Sequence, residues 1–230
     1  MKIVEPQSLR KVMVHLLKRY PTCQAYNMLW TTKREPPFRV LIGTILSQRS
    51  RDETTEKVAA AFFSKYKDVY AVAKAPLKEI ERVIRPSGPY HQKARNIKQT
   101  CEMLVQKYNG KVPRTEEELM KLPGVGQKTC DCVLLYGYGA EVVPVDTHVH
   151  KLANIFGWVK TKTPEQTKIE LEKLVKGNKR KVVNCVLVSL GQETRYNTTK
   201  MNKALGKLVP DIEKRLKDFQ KRRKSKDFDR

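Results

Sequence analysis

Three features of this 230-residue sequence predict an all-α fold. Apolar residues recur at three- and four-residue steps along most of its length, the period of helices buried on one face. Prolines, glycines and short polar residues interrupt those runs where helices start and stop. Support for strands is confined to Val142 to Val145, and no internal repeat is evident, so packed helices must supply the core.

Pro6 to Tyr20 reads as an amphipathic helix, with Leu9, Val12, Met13, Leu16 and Leu17 on one side, stopped by Pro21. Tyr26 to Pro37 is a connector, because its two consecutive prolines exclude a continuing helix. Phe38 to Ser50 is a dense apolar helix that ends abruptly in Ser47, Gln48, Arg49, Ser50 and Arg51. Asp52 caps a helix running to Tyr66, with Val58, Ala59, Phe62 and Phe63 apolar, and Pro76 opens one running to Ile84. Pro86 to Tyr90 is a turn, and His91 to Tyr108 a long helix with Ile97, Cys101, Leu104 and Val105 on one face, ended by Asn109 and Gly110.

Thr115 to Lys121 is a short helix with Thr115 in the capping position. After it, Gly124 and Gly126 flank Val125 behind Pro123. Both glycines can take positive φ and neither carries a side chain, so the chain can reverse tightly and a phosphate can approach its backbone N–H groups. The N-terminus of the next helix adds a dipole favourable to an anion. Lys128 lies in the first turn of that helix, among Cys130, Val133, Leu134 and Leu135. Dipole and desolvation both disfavour a charged ammonium there, and a neutral lysine is a nucleophile. Asp146 stands where the extended Val142 to Val145 gives way to another helix, the position of an N-cap, from which a carboxylate can face a cleft.

Thr163, Pro164 and Gln166 form a capping box with proline at N1, which predicts a helix from Pro164 to Lys176, ended by Gly177 and Asn178. Lys181 to Leu190 is apolar nearly all round and reads as a buried helix; Gly191 to Thr199 reads as a loop. Further helices are expected from Lys200 to Leu208 and from Pro210 to Lys224, with KRRKSKDFDR a frayed basic tail.

Composition narrows the function. The 47 Lys and Arg against 24 Asp and Glu give a net charge of +23, with a pI near 9.9, which favours a polyanionic partner. No stretch approaches the roughly 18 to 20 apolar residues needed to cross a bilayer, and MKIVEPQSLRK lacks a signal peptide's apolar run. The expectation is an intracellular protein of the cytoplasm or nucleoid, a monomer with no membrane partner. Cys23, Cys101, Cys130, Cys132 and Cys185 are scattered through apolar patterns and read as reduced thiols. Cys130 and Cys132 would point to different sides of a helix and make a poor metal pair.

LPGVGQKTCDCVL followed by VDTHVHKLANIFGW resembles the helix-hairpin-helix and aspartate-bearing loop of the endonuclease III family of HhH-GPD DNA glycosylases. The likeness is strongest over Leu122 to Trp158 and extends more weakly from about Phe38 to Gly191. It implies two helical lobes: residues 30–139, with the helix-hairpin-helix at about 115–137, and residues 1–29 plus 140–230, with a catalytic cleft between them. It implies that Lys128 attacks the sugar C1′ and that Asp146 assists. The family's glutamine loop, which fills the gap left by a flipped nucleotide, matches Gln48, or Arg49 if the register shifts by one. Tyr90 and Lys93 match a DNA-lining cluster; Gly124, Val125, Gly126 and Gln127 match the phosphate-binding hairpin; His148 belongs to the recurring VDTH. For Tyr90, His91 and Lys93 a helix cap and solvated face is the competing reading, and for His148 a structural bond to its loop.

Double-stranded DNA containing damaged bases or abasic sites is therefore the expected partner, and a bifunctional glycosylase and AP lyase acting on oxidised pyrimidines the expected activity. A glycosylase for another lesion such as 8-oxoguanine, and a non-catalytic helix-hairpin-helix module, are the alternatives. One departure stands out. Many relatives hold an iron–sulfur cluster with four C-terminal cysteines, and nothing after Cys185 supplies them, so no cluster, metal or other cofactor is expected.

Overall fold

The computed structural model describes residues 6–21, 36–50, 52–177 and 179–224. Among them every regular element is helical, and the expected helices are present with small changes at their ends. The connector from Tyr26 to Pro37 falls largely outside the described residues, as do Cys23 and the end of the basic tail. The chain divides into two compact units, Arg34–Ala140 and a second made of Met1–Lys33 with Glu141–Arg230.

In the unit Arg34–Ala140, α2 (Pro37–Ser47) is central. Val40, Leu41, Ile42, Ile45 and Leu46 bury its apolar face, each side chain contributing roughly 1.5–3 kcal/mol of transfer free energy. It packs on α3 (Asp52–Lys65), α6 (Tyr90–Tyr108) and α8 (Gln127–Cys132). A short helix not expected from the sequence, α4 (Val69–Lys74), is capped by Asp68, whose side chain accepts from Ala71 N. It packs on α6, as does α5 (Leu77–Ile84). Helix α6 ends where Asn109 and Gly110 turn left-handed, φ 50° and 73°. The first hairpin helix, α7 (Glu116–Leu119), is a single turn capped by Thr115. Past Cys132 the helix does not continue as α: Val133–Gly137 form a π-helical turn, with Gly137 so close to Pro37 that a Cβ would stand 3.1 Å from its Cα.

In the second unit, α1 (Pro6–Arg19) and α9 (Thr147–Ile155) pack on the long α11 (Lys179–Thr194). Beside α9 lies α10 (Pro164–Leu174), whose N-cap Thr163 accepts from Gln166 N as the capping box requires. Helices α12 (Thr198–Leu205) and α13 (Ile212–Lys224) complete a core that includes Leu16, Leu152, Phe156, Trp158, Leu171, Val186, Leu190 and Met201. Behind it His150, Asn154, Thr161 and Thr167 form a buried polar network, with His150 Nδ1 2.6 Å from Thr167 Oγ1.

The structure departs from three expectations. Val142 to Val145 is extended but is no strand, because side chains replace a strand partner. Glu172 accepts from Val143 N at 3.0 Å, Asn184 donates to the Pro144 carbonyl at 3.3 Å, and buried Arg180 donates to the Glu141 carbonyl. Gly191 to Thr199 is not a loop: α11 runs through Gly191 to Thr194 and reverses over Arg195 and Tyr196, both left-handed, before Asn197 caps α12. Cys101, Cys130 and Cys132 are buried thiols outside any disulfide, but Cys185 is disulfide-bonded, so the reading of five reduced thiols fails there.

Candidate active site

The hairpin at Pro123–Gly126 is shaped by one glycine more than the other. Gly124 has φ +78°, and a Cβ there would stand 2.7 Å from Asn96 Nδ2, so both backbone conformation and space require glycine. Gly126 is extended, φ −104°, which any residue can adopt. It is exposed, with nothing within 4 Å of where a Cβ would lie. Val125 is buried and anchors the tip, and Gln127 Nε2 donates to Asp131 Oδ1 at 3.3 Å.

Lys128 is half-buried in the first turn of α8. The residues behind it, Thr129, Cys130, Asp131 and Cys132, are all buried and fix the helix against its neighbours. The lysine is therefore carried on a rigid element immediately behind the hairpin.

Two further loops are tied to this one. Gln48 Nε2 donates to the Gly124 carbonyl (2.9 Å) and to Thr129 Oγ1 (3.3 Å), so the amide expected to enter DNA is engaged within the protein. Arg49, next in the chain, is exposed at φ +51° and is the side chain that the turn presents. Ser50 Oγ donates to the Ser87 carbonyl at 2.7 Å, binding this turn to the one before α6. In that second turn Gly88 has φ +75° and lies against the Arg49 carbonyl, which a Cβ would approach to 2.9 Å.

Lys93, expected on a DNA-lining surface, is only 2% exposed. Its ammonium donates to the carbonyls of Leu46 (2.6 Å) and Ser87 and to Ser50 Oγ (2.9 Å), and burial pushes its pKa down to about 8. A side chain so committed cannot reach a ligand. Tyr90 is half-buried, its ring 4.0 Å from that of His91, which pairs with Glu81 at 2.9 Å.

In the other unit, Asp146 caps α9 as its position in the sequence implies. Its Oδ1 accepts from His148 N and Val149 N, each at 2.9 Å, and the residue is half-buried. His148 is held rather than presented: its Nδ1 lies 2.7 Å from Tyr196 Oη, and the two rings stack at 6°. Gly191 lies directly beneath, where a Cβ would collide with the imidazole. The bond to Tyr196 is the structural bond of the competing reading for His148. Tyr196, which holds it, was not singled out from sequence; nor were Asn96 and Thr100, one and two turns beyond Lys93 on α6.

Among the described residues no three His, Cys, Asp or Glu side chains converge as a metal site. The family's cluster requires four cysteine ligands, and the C-terminal region offers only Cys185, already in a disulfide; the donor set does not fit the cluster. No described helix is long and apolar enough to cross a membrane.

With this geometry established, the relatives are informative. Endonuclease III of Thermotoga maritima is 44% identical over 177 residues, covering 77% of this chain and 79% of that protein. Endonuclease III of Synechocystis is 36% identical over 172 residues, covering 74% of this chain and 75% of that protein. A solved structure of a trapped endonuclease III–DNA covalent intermediate superposes with a TM-score of 0.75 at 29% identity, covering 93% of this chain and 99% of that one. The profile of the HhH-GPD superfamily of base excision DNA repair proteins matches residues 42–177, which take in the hairpin, Lys128 and Asp146. The chain belongs to that superfamily.

Proposed function

We propose that the protein is a bifunctional DNA glycosylase and AP lyase that removes oxidised pyrimidines of the thymine glycol type from duplex DNA inside the cell, acting as a monomer. The observation that carries this reading is Lys128, half-buried on a rigid helix and two residues past an exposed glycine whose open side leaves its backbone approachable. The net charge of +23 supports a polyanionic partner, and the endonuclease III relatives support the reaction class.

In this reading the hairpin amides, with Gln127 at the helix start, hold a backbone phosphate. The damaged nucleotide is flipped at a cost of a few kcal/mol, and Arg49 enters the gap that it leaves. Lys128, as the neutral amine, donates its lone pair to C1′ while the glycosidic bond breaks and the base departs with that bond's electrons and a proton. The amine's remaining lone pair then opens the sugar, O4′ leaves with its bond's electrons and takes a proton from water to become a hydroxyl, and a protonated Schiff base remains. Loss of a C2′ proton eliminates the 3′ phosphate and nicks the strand. The Asp146 carboxylate stabilises positive charge developing on the sugar.

Borohydride trapping on a duplex with one thymine glycol tests this reading. Wild type is expected to give a covalent adduct and Lys128→Gln none, with binding to the damaged duplex retained. An adduct or normal nicking by Lys128→Gln would remove the covalent role of Lys128. Tight binding without an adduct on thymine glycol, 8-oxoguanine or an abasic site would leave a non-catalytic DNA-binding module. We also propose that the chain carries no iron–sulfur cluster. The purified protein should show no iron and no visible absorbance, and a brown, iron-containing preparation would refute this.

A further inference from the structure

One face of α6 touches three separate loops. Lys93 ties the end of α2 and the turn after it to the turn before α6, through Leu46 and Ser50 on one side and Ser87 on the other. One turn on, Asn96 packs beneath Gly124 at the hairpin, its Oδ1 accepting from Gln92 Nε2 at 2.8 Å. Another turn on, Thr100, fully buried, donates from Oγ1 to the Pro123 carbonyl at 2.8 Å. The spacing i, i+3, i+7 aligns all three along one stripe of the helix. Gln48 closes the set by bonding the first turn to the hairpin.

We propose that Lys93, Asn96 and Thr100 form a positioning stripe that sets the distance between the phosphate-gripping hairpin and the Arg49 turn. This inference rests on the glycosylase reading above. It assigns a role to a buried cation that the bond-breaking chemistry does not use. Burying a lysine is unfavourable unless its donors are satisfied, and here all three N–H groups go to oxygens, one at the end of α2 and two on the turns beside the gap-filling side chain. Removing the ammonium takes one donor from each of two buried carbonyls and loosens the Arg49 turn from its neighbour, to which the Ser50 Oγ bond to the Ser87 carbonyl still holds it. Removing the Thr100 hydroxyl acts instead on the hairpin. The stripe therefore divides into two functions, nucleotide flipping at its first residue and phosphate grip at its last.

The test compares wild type, Lys93→Met and Thr100→Val on two duplexes, one with a thymine glycol paired to 2-aminopurine and one with a preformed abasic site. Wild type should unstack the 2-aminopurine, raising its fluorescence. Lys93→Met should bind but fail to raise it, and should lose base release on the order of 10²-fold, the scale of a 1 Å misplacement. Nicking of the abasic duplex, in which no base must be unstacked, should stay near wild type. Thr100→Val should raise KM on both duplexes and leave kcat unchanged. Should Lys93→Met not fold, Ser50→Ala, which removes one acceptor and the bond to Ser87, must show the same separation in smaller measure. Equal loss on both duplexes, or unstacking as strong as in wild type, would overturn the inference. If wild type itself neither unstacks nor nicks, the glycosylase reading fails, and the stripe's role in flipping falls with it.

Discussion

Asp146 carries two roles that can be separated by experiment. It caps α9 by accepting two backbone N–H bonds at 2.9 Å, and it is the proposed carboxylate of the reaction. Asp146→Ala removes both. Losing an N-cap costs about 0.5–2 kcal/mol, and with two donors left unpaired the cost should lie near 1.5–2 kcal/mol. At about 2–4 °C per kcal/mol for a chain of this size, Tm should fall by about 3–8 °C. Asp146→Asn keeps an oxygen acceptor in the same place and gives up only the charge at the helix N-terminus, worth about 0.3–1 kcal/mol. Its Tm should fall by no more than about 1–4 °C. Base release should nevertheless drop in both variants, by roughly 10²–10⁴-fold if the carboxylate acts as a proton-transfer or charge-stabilising group. Calorimetry and single-turnover base release on the same preparations measure the two effects independently. If Asp146→Asn releases base at the wild-type rate, Asp146 is a cap and nothing more.

Two other perturbations follow from the packing. Gly191→Ala should destabilise the protein by about 1–3 kcal/mol, because the new methyl group displaces the His148 ring and breaks its bond to Tyr196. The double variant Gly191→Ala/His148→Ala should recover part of the loss, and simple additivity in thermal unfolding would show that the ring is not what the methyl group meets. Lys93 gives stability a pH dependence of unusual sign. Burial lowers its pKa from the ordinary 10.5 to about 8, so between these values the unfolded chain holds a proton that the folded chain has released. The Lys93 contribution therefore rises as pH is raised from about 8 to 10.5, and below about 8 its cost is constant. Subtracting the denaturation profile of Lys93→Met from that of wild type should isolate this rise, and a flat difference would refute it.

What could be read from the sequence was what depends on near neighbours. Asp146 and Thr163 were recognisable as caps because their acceptors serve N–H groups within three residues. Gly124 was recognisable because a tight reversal leaves few alternatives to positive φ. The failures arose where distant residues decide the outcome. Lys93 looked like any lysine on a helix surface, and its carbonyl partner Leu46 is far away in the chain. Gly191 looked like a helix breaker, yet it is helical and glycine is needed for the close approach of His148. Val142 to Val145 had a strand's composition, but Glu172, Arg180 and Asn184 supply the partners that a second strand would. Helix α4 had a usable signal in Asp68, outweighed by its shortness.

The π turn at Val133–Gly137 has a consequence for how the lysine-bearing helix can change. A π turn amounts to one additional residue in a helix that otherwise advances about 100° per residue. The Lys128 end and the Gly137 end therefore run out of phase: the first is oriented by the hairpin and the second by its close fit against Pro37. If the same residues ran as regular α-helix, the extra residue would no longer be absorbed and Gly137 and Tyr138 would swing by about 100° relative to Lys128. Either the fit to Pro37 or the aim of the lysine would then be lost. The irregular turn lets two orientations, each fixed by different neighbours, coexist on one continuous rod.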